Sequence, residues 1–151
     1  METTKQVSVF LENKPGRLAN VLSALARQKI NITALTVMDS YDNSVLRLVT
    51  GDLSRTREVL TGLNARHAET DVLVVELRNQ PGALSRVCEL LGAEHINIEY
   101  AYCSSGGRNG RVYGIFKVSN LEKAQRVLAE SPNNRRLERR VVRDQRVYNK
   151  K

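Results

Sequence analysis

The sequence predicts an α+β fold built from two βαββαβ units in tandem, each an antiparallel sheet with its helices on one face. Three observations predict it. A block of sequence recurs at a fixed shift, short segments alternate apolar and polar residues, and apolar stripes at helical spacing lie between them.

The recurrence is the strongest of the three. At a shift of 66 residues, Asn13 to Ile32 overlays Asn79 to Ile98 with nine of twenty positions identical. Ordinary composition would give about one match. The shared residues include Asn13 and Asn79, Pro15 and Pro81, Gly16 and Gly82, Leu18 and Leu84, Asn31 and Asn97, and Ile32 and Ile98. Farther on the shift becomes 68, pairing Leu53 with Leu121, Val59 with Val127 and Leu60 with Leu128. The second copy therefore carries two extra residues, which the Gly-rich stretch from Ser104 to Gly110 best accommodates.

Each element has a local cause. Val7, Val9 and Leu11 alternate as a half-buried strand does. Pro15-Gly16 opens a helix whose Leu18, Val21, Leu22, Leu25 and Ala26 form one apolar stripe. Leu84, Val87, Cys88 and Leu91 repeat that stripe. Ile32 to Met38 and Val45 to Thr50 are strands around a turn at Asp42-Asn43, and Ser104 to Gly110 turns the matching hairpin. Leu53, Leu60 and Leu63 mark a second, shorter helix. A last strand is expected near His67 to Thr70, and near Val141 to Val147 in the second copy. The order is that of the ferredoxin-like arrangement. The units are 1–70 and 71–151, and Val72 to Val75, apolar on both faces, suits a strand buried on both sides. The copies are expected to pair side by side through it.

Composition bounds the function. Hydrophobic residues make up 41%, enough for a packed core, and no apolar run approaches the roughly 20 residues of a membrane span. No apolar leader is legible at the N-terminus, so a cytoplasmic protein is expected. Cys88 and Cys103 lack metal-ligand spacing and are expected to be buried free thiols. The net charge is +8, of which +6 lies in Arg135 to Lys151, with eight Arg or Lys against Glu138 and Asp144. Such a segment suits nucleic acid, an acidic partner or, most simply, a charged strand edge.

The doubled motif resembles the ACT domain family, as tandem repeats covering nearly the whole chain. It consists of the strand Val7 to Leu11, the loop Asn13-Lys14-Pro15-Gly16 with Arg17 and Leu18, a helix, and Ile30-Asn31-Ile32. It returns as Asn79-Gln80-Pro81-Gly82 with Ala83 and Leu84, a helix, and Ile96-Asn97-Ile98. The resemblance implies a non-catalytic regulatory module that binds a free amino acid between paired units. Asn13 would then face Asn97, and Asn79 would face Asn31. It also implies a homodimer, a metabolic enzyme as a further partner, and no cofactor or metal.

The loop chemistry agrees with this. Gly16 and Gly82 let a ligand approach the backbone. A helix start leaves N–H groups without intrahelical partners and favours a carboxylate. An Asn side chain offers both an acceptor and a donor, so it can hold an ammonium and a carboxylate. Taken singly, each Asn also suits a turn or a helix end, and Pro-Gly a plain helix start. The copies differ at Arg17/Ala83, Thr33/Glu99, Ala34/Tyr100 and Leu35/Ala101, so the two sites need not be equal.

Three other readings bear on function. Val9-Phe10-Leu11 and Tyr113-Gly114-Ile115-Phe116 resemble pieces of an RNA-binding sheet, but they fall in different copies, and nucleic acid is not the expected partner. His67 and His95 stand alone, and no nucleophile with a base, carboxylate pair or phosphate loop is legible, so no catalysis is expected. The first motif also resembles the small subunit of acetolactate synthase, which keeps open a role as the regulatory or assembly subunit of a biosynthetic enzyme.

Overall fold

The computed structural model describes residues 1–39, 43–107 and 111–131. In chain order its elements are β1 (Glu2–Glu12), α1 (Arg17–Arg27), β2 (Ile32–Asp39), β3 (Asn43–Thr50), α2 (Leu53–Gly62), β4 (His67–Arg78), α3 (Ala83–Ala93), β5 (Ile98–Gly107), β6 (Arg111–Val118) and α4 (Leu121–Glu130). The repeat is reproduced to the residue. α3 follows α1 at a shift of 66, α4 follows α2 at 68, and the change of shift falls between β5 and β6. The strand expected at Val141 to Val147, the basic segment Arg135 to Lys151, Asp42 of the first hairpin turn and residues 108–110 of the second lie outside the described residues.

The six strands form one antiparallel sheet in the order β2-β3-β1-β4-β6-β5. The two copies meet at β1 and β4. β4 runs unbroken through residues 70 and 71, so it closes the first copy's sheet and opens the second's. β1 is longer than the alternation of Val7 to Leu11 predicts. Its first residues, Glu2 to Thr4, lie against Val74 to Val72 of β4, and its later ones against β3 and the start of β4. The extension has no apolar alternation of its own because its partner strand orders it, not its side chains.

Strand parity sorts the core into layers. Val7, Val9 and Leu11 of β1 and Leu46 and Leu48 of β3 pack with Val21, Leu25 and Leu60 of α1 and α2. Leu73 and Val75 of β4 and Phe116 and Val118 of β6 pack with Val87, Leu91, Ala124 and Leu128 of α3 and α4. Val7 pairs with Glu69 on β4, and Thr3 with Leu73, so both helix pairs cover the same face of the sheet. The apolar stripes bury Val21, Leu25, Val87 and Leu91 as expected. Ala26 is exposed, Ala24 is buried instead, and Leu84 and Cys88 face solvent. Both thiols are free, but both are exposed, contrary to the burial expected of them. Cys88 sits at the rim of its helix stripe. Cys103 follows the parity of Phe116 on an edge strand that has no hydrogen-bonded strand on its outer side.

The opposite face curls inward. Ala34, Val49, Val72, Val74 and Ile115 form a third apolar cluster with Tyr102 and Tyr113 against it. The curl brings the edge strands β2 and β5 together, where the Ser104 hydroxyl donates to the Thr33 carbonyl at 2.7 Å. Val72 and Val74 on this side, and Leu73 and Val75 on the other, bury β4 on both faces, as its apolar run predicts.

Candidate functional site

The two Asn-x-Pro-Gly loops have the same conformation. In each, the residue after Asn donates its N–H two residues back, Lys14 to Glu12 and Gln80 to Arg78, both at 2.8 Å. Gly16 then takes φ 84° and Gly82 φ 81°. That left-handed conformation costs a residue with a Cβ about 1–2 kcal/mol and costs glycine little. A Cβ built at either glycine meets nothing within 4 Å, so the space beside each helix start is open.

The helix starts divide into two kinds. α2 and α4 are capped by side chains, with Asp52 Oδ1 accepting from Arg55 N at 3.0 Å and Asn120 Oδ1 from Lys123 N at 2.9 Å. α1 and α3 have no side-chain cap. The uncapped starts are the two that follow the Pro-Gly loops, and their free N–H groups and positive dipole ends favour an anion there.

Asn31 and Asn97 precede the strands β2 and β5. They do not terminate the helices before them. That role falls two residues earlier, to Lys29 and His95, each at φ 56°. Ile30 N bonds Leu25 O and Ile96 N bonds Leu91 O, the closing bonds of a Schellman end. The Asn backbone carbonyls accept from Gly51 N at 3.1 Å and Ser119 N at 2.9 Å. All four of Asn13, Asn31, Asn79 and Asn97 are exposed. Among the described residues no hydrogen bond engages a side-chain amide of any of the four.

Topology decides which of them share an end of the sheet. β1 and β2 flank β3, which is antiparallel to both, so β1 ends where β2 ends and not where it begins. Asn13, after β1, and Asn31, before β2, are therefore separated by the length of an eight-residue strand, about 25 Å. Across the copies the ends coincide. Arg78, the neighbour of Asn79, pairs with Arg111, and Arg111 with Gly107 at the end of β5. The end of β5 meets the start of β2 through Ser104 and Thr33, two residues from Asn31. By strand direction, β5 begins after Asn97 at the opposite end, towards which β1 runs into Asn13.

The other expected residues have mixed surroundings. Leu18, Ile32 and Ile98 are partly buried against the helix-side cores. Pro15 and Pro81 are exposed, and Leu84 is 42% exposed. Arg17 bonds Glu12 at 3.1 Å, and Lys14 pairs with the same carboxylate at 2.9 Å. These two cations hold the Glu12 carboxyl below the usual carboxylate range, Lys14 first. Arg78, Gln80 and Ala83 stand at those positions in the second loop, so the two loops differ in charge arrangement.

Sequence reasoning missed a polar cluster where the copies meet on the helix-free face. Gln6 is fully buried. It donates to the Tyr100 hydroxyl at 3.0 Å and to Ser8 at 3.3 Å, and accepts from the Tyr102 hydroxyl at 3.0 Å. The Arg47 guanidinium lies 3.8 Å from the centre of the Tyr100 ring. Burial pushes the Tyr102 phenol up from its ordinary value, with Tyr100 adding to the effect. The Ala34/Tyr100 mismatch between copies was the only signal in the sequence. The aromatic residues of an RNA-binding sheet are not displayed together, because Phe116 is fully buried under the helices while Phe10 lies on the other face beneath Arg66. No helix among the described residues is long and apolar enough to cross a membrane.

A family profile described as an ACT domain pair matches residues 2–140. Among solved structures, the protein BT0572 from Bacteroides thetaiotaomicron is similar at 36% identity and TM-score 0.78, covering 85% of this chain and 88% of that one. The ligand-free regulatory subunit of aspartate kinase from Thermus thermophilus is similar in fold, at 14% identity and TM-score 0.61, covering 86% of this chain and 97% of that one. The corresponding regulatory subunit from Thermus flavus has 17% identity and TM-score 0.58, covering 85% and 94%. A search of curated protein sequences returned no match.

Proposed function

The chain belongs to the ACT domain pair family, and on that premise we propose that it is a non-catalytic regulatory protein that holds a free amino acid where its two copies meet. One observation carries this reading. At each end of the sheet an uncapped helix start, behind a left-handed glycine with open space beside it, shares that end with a strand-opening Asn from the other copy. The ligand carboxylate sits on the helix-start N–H groups. The loop Asn and the strand Asn divide the ammonium and the remaining carboxylate oxygen between them. Asn13 with Asn97 makes one site and Asn79 with Asn31 the other, with units 1–70 and 71–151 each giving one loop and one strand start. Hydrogen bonds to charged groups contribute about 1.5–3 kcal/mol each. Set against the several kcal/mol that association costs, this gives a dissociation constant of ~1 µM to ~1 mM.

The two exposed thiols suit a reducing compartment such as the cytoplasm. Leu35, Val37 and Met38, each more than 40% exposed on the edge strand β2, suit a dimer of this chain. Sedimentation equilibrium reports that state directly.

A thermal-shift screen with the twenty amino acids tests the central reading. Ligand at about 100 times its dissociation constant adds ~2.7 kcal/mol, which for a chain of this size raises Tm by about 5–10 °C. A flat response to all twenty would remove the amino-acid reading and leave an assembly module of a biosynthetic enzyme.

A further inference from the structure

The two sites lie at opposite ends of a single strand. β5 begins directly after Asn97, and near its other end Ser104 bonds the carbonyl of Thr33, two residues from Asn31. Between these points β5 is held across the copy boundary by Gln6 on Tyr100 and Tyr102, and by Arg47 over Tyr100. β2 and β5 are not neighbours in the hydrogen-bonded sheet. Among the described residues, side-chain contacts close this seam and no backbone ladder does. Opening it costs these contacts and uncovers part of the shared cluster of Ala34, Val49, Val72, Val74 and Ile115, while each copy keeps its helix-side core. Both edge strands carry an irregularity at their start, between Ile32 and Ala34 and between Ile98 and Tyr100. Each irregularity lies next to a proposed ligand Asn, and bulges are places where a strand can bend.

We infer that the seam between β2 and β5 couples the two amino-acid sites, so that filling one raises the affinity of the other. This rests on the proposed amino-acid reading. Each ligand bridges a loop of one copy to a strand start of the other, so each is held only when the seam is closed. A ligand that favours the closed seam leaves less of the closing cost for the second. Linkage makes the effect mutual. The seam gives the physical element that both sites bias, which proximity alone would not supply.

The test is isothermal titration calorimetry of the full chain with the amino acid that gives the largest Tm rise in the screen. Wild type should show two sites per chain, with the second step on the order of tenfold tighter than the first, within the usual range of coupling. Ser104→Ala and, separately, Arg47→Gln should still bind two molecules, with the first step weakened and the ratio of the second step to the first raised, because each variant adds to the closing cost that the first ligand meets. Retention of two sites separates a change in coupling from loss of folding. As a readout without a titration, amide protection along β2 and β5 should rise together when ligand saturates the wild type. Two independent sites in wild type, a single site per chain, or unchanged cooperativity in both variants would overturn the coupling while leaving the amino-acid reading intact. Absence of binding by every amino acid would overturn both.

Discussion

Replacing Gln6 with leucine tests whether the buried polar cluster joins the two copies. Gln6 is fully buried and makes three side-chain hydrogen bonds, two of them to β5 of the other copy. Leucine keeps the size and removes all three. The Tyr102 hydroxyl, partly buried, then loses its acceptor, and an unsatisfied buried donor costs ~1–3 kcal/mol. The leucine side chain returns some apolar burial, at ~25 cal/mol per Å². The net cost should be about 1–2 kcal/mol, a fall in Tm of roughly 2–8 °C for a chain of this length. Tyr102→Phe alone should cost about 1 kcal/mol by leaving Gln6 Oε1 unpaired. The double variant Gln6→Leu/Tyr102→Phe removes both polar partners and should be no worse than Gln6→Leu alone. Urea denaturation of the four proteins gives the interaction energy, expected near 1 kcal/mol. Additivity within ~0.3 kcal/mol would refute the view that this hydrogen bond is a coupled, desolvated link between the copies.

Further predictions follow from single features. Gly16→Ala and Gly82→Ala should each cost ~1–2 kcal/mol in chemical denaturation, since both are at positive φ and neither Cβ would clash. If the proposed pairing holds, Asn13→Ala and Asn97→Ala abolish the same calorimetric site, and Asn79→Ala and Asn31→Ala the other; loss of one site by Asn13→Ala and Asn31→Ala together would break it. Asp52→Ala removes the cap of α2 and should lower stability by ~1 kcal/mol, read from the urea midpoint. Hydrogen bonds from Arg57 hold the Glu69 carboxyl below its ordinary value, against the opposing effect of burial. A depressed folded pKa gives stability that is present above the unfolded value near 4.3 and is lost as pH falls through the folded value. The Tm gap between wild type and Glu69→Gln should therefore be open at pH 6–7 and close toward pH 3.

The sequence by itself determined the repeat, the order of the described elements within it, the buried centre of each helix stripe and the loops of the candidate site. Those features are local. A positive-φ glycine after proline, a 3.6-residue apolar stripe and a two-residue alternation each act within one element, and the second copy made them unmistakable. What the sequence could not determine is how the copies meet. Gln6 and Ser8 alternate with Val7 and Val9, a pattern that reads as a strand with one wet face. The tertiary structure instead curls that face against β5 and buries Gln6 completely. Strand alternation reports which residues share a face, not what covers it. The same limit hid the Glu2 to Thr4 extension, which exists because Val72 to Val74 of β4 offer it a ladder. It also hid the exposure of Cys103, whose edge position depends on strand order and not on its neighbours in sequence. The four Asn residues were legible one by one. The proposed pairing of Asn13 with Asn97 rather than with Asn31 depends on the antiparallel order of the sheet and the closing of its edges, because only long-range pairing sets which strand ends coincide.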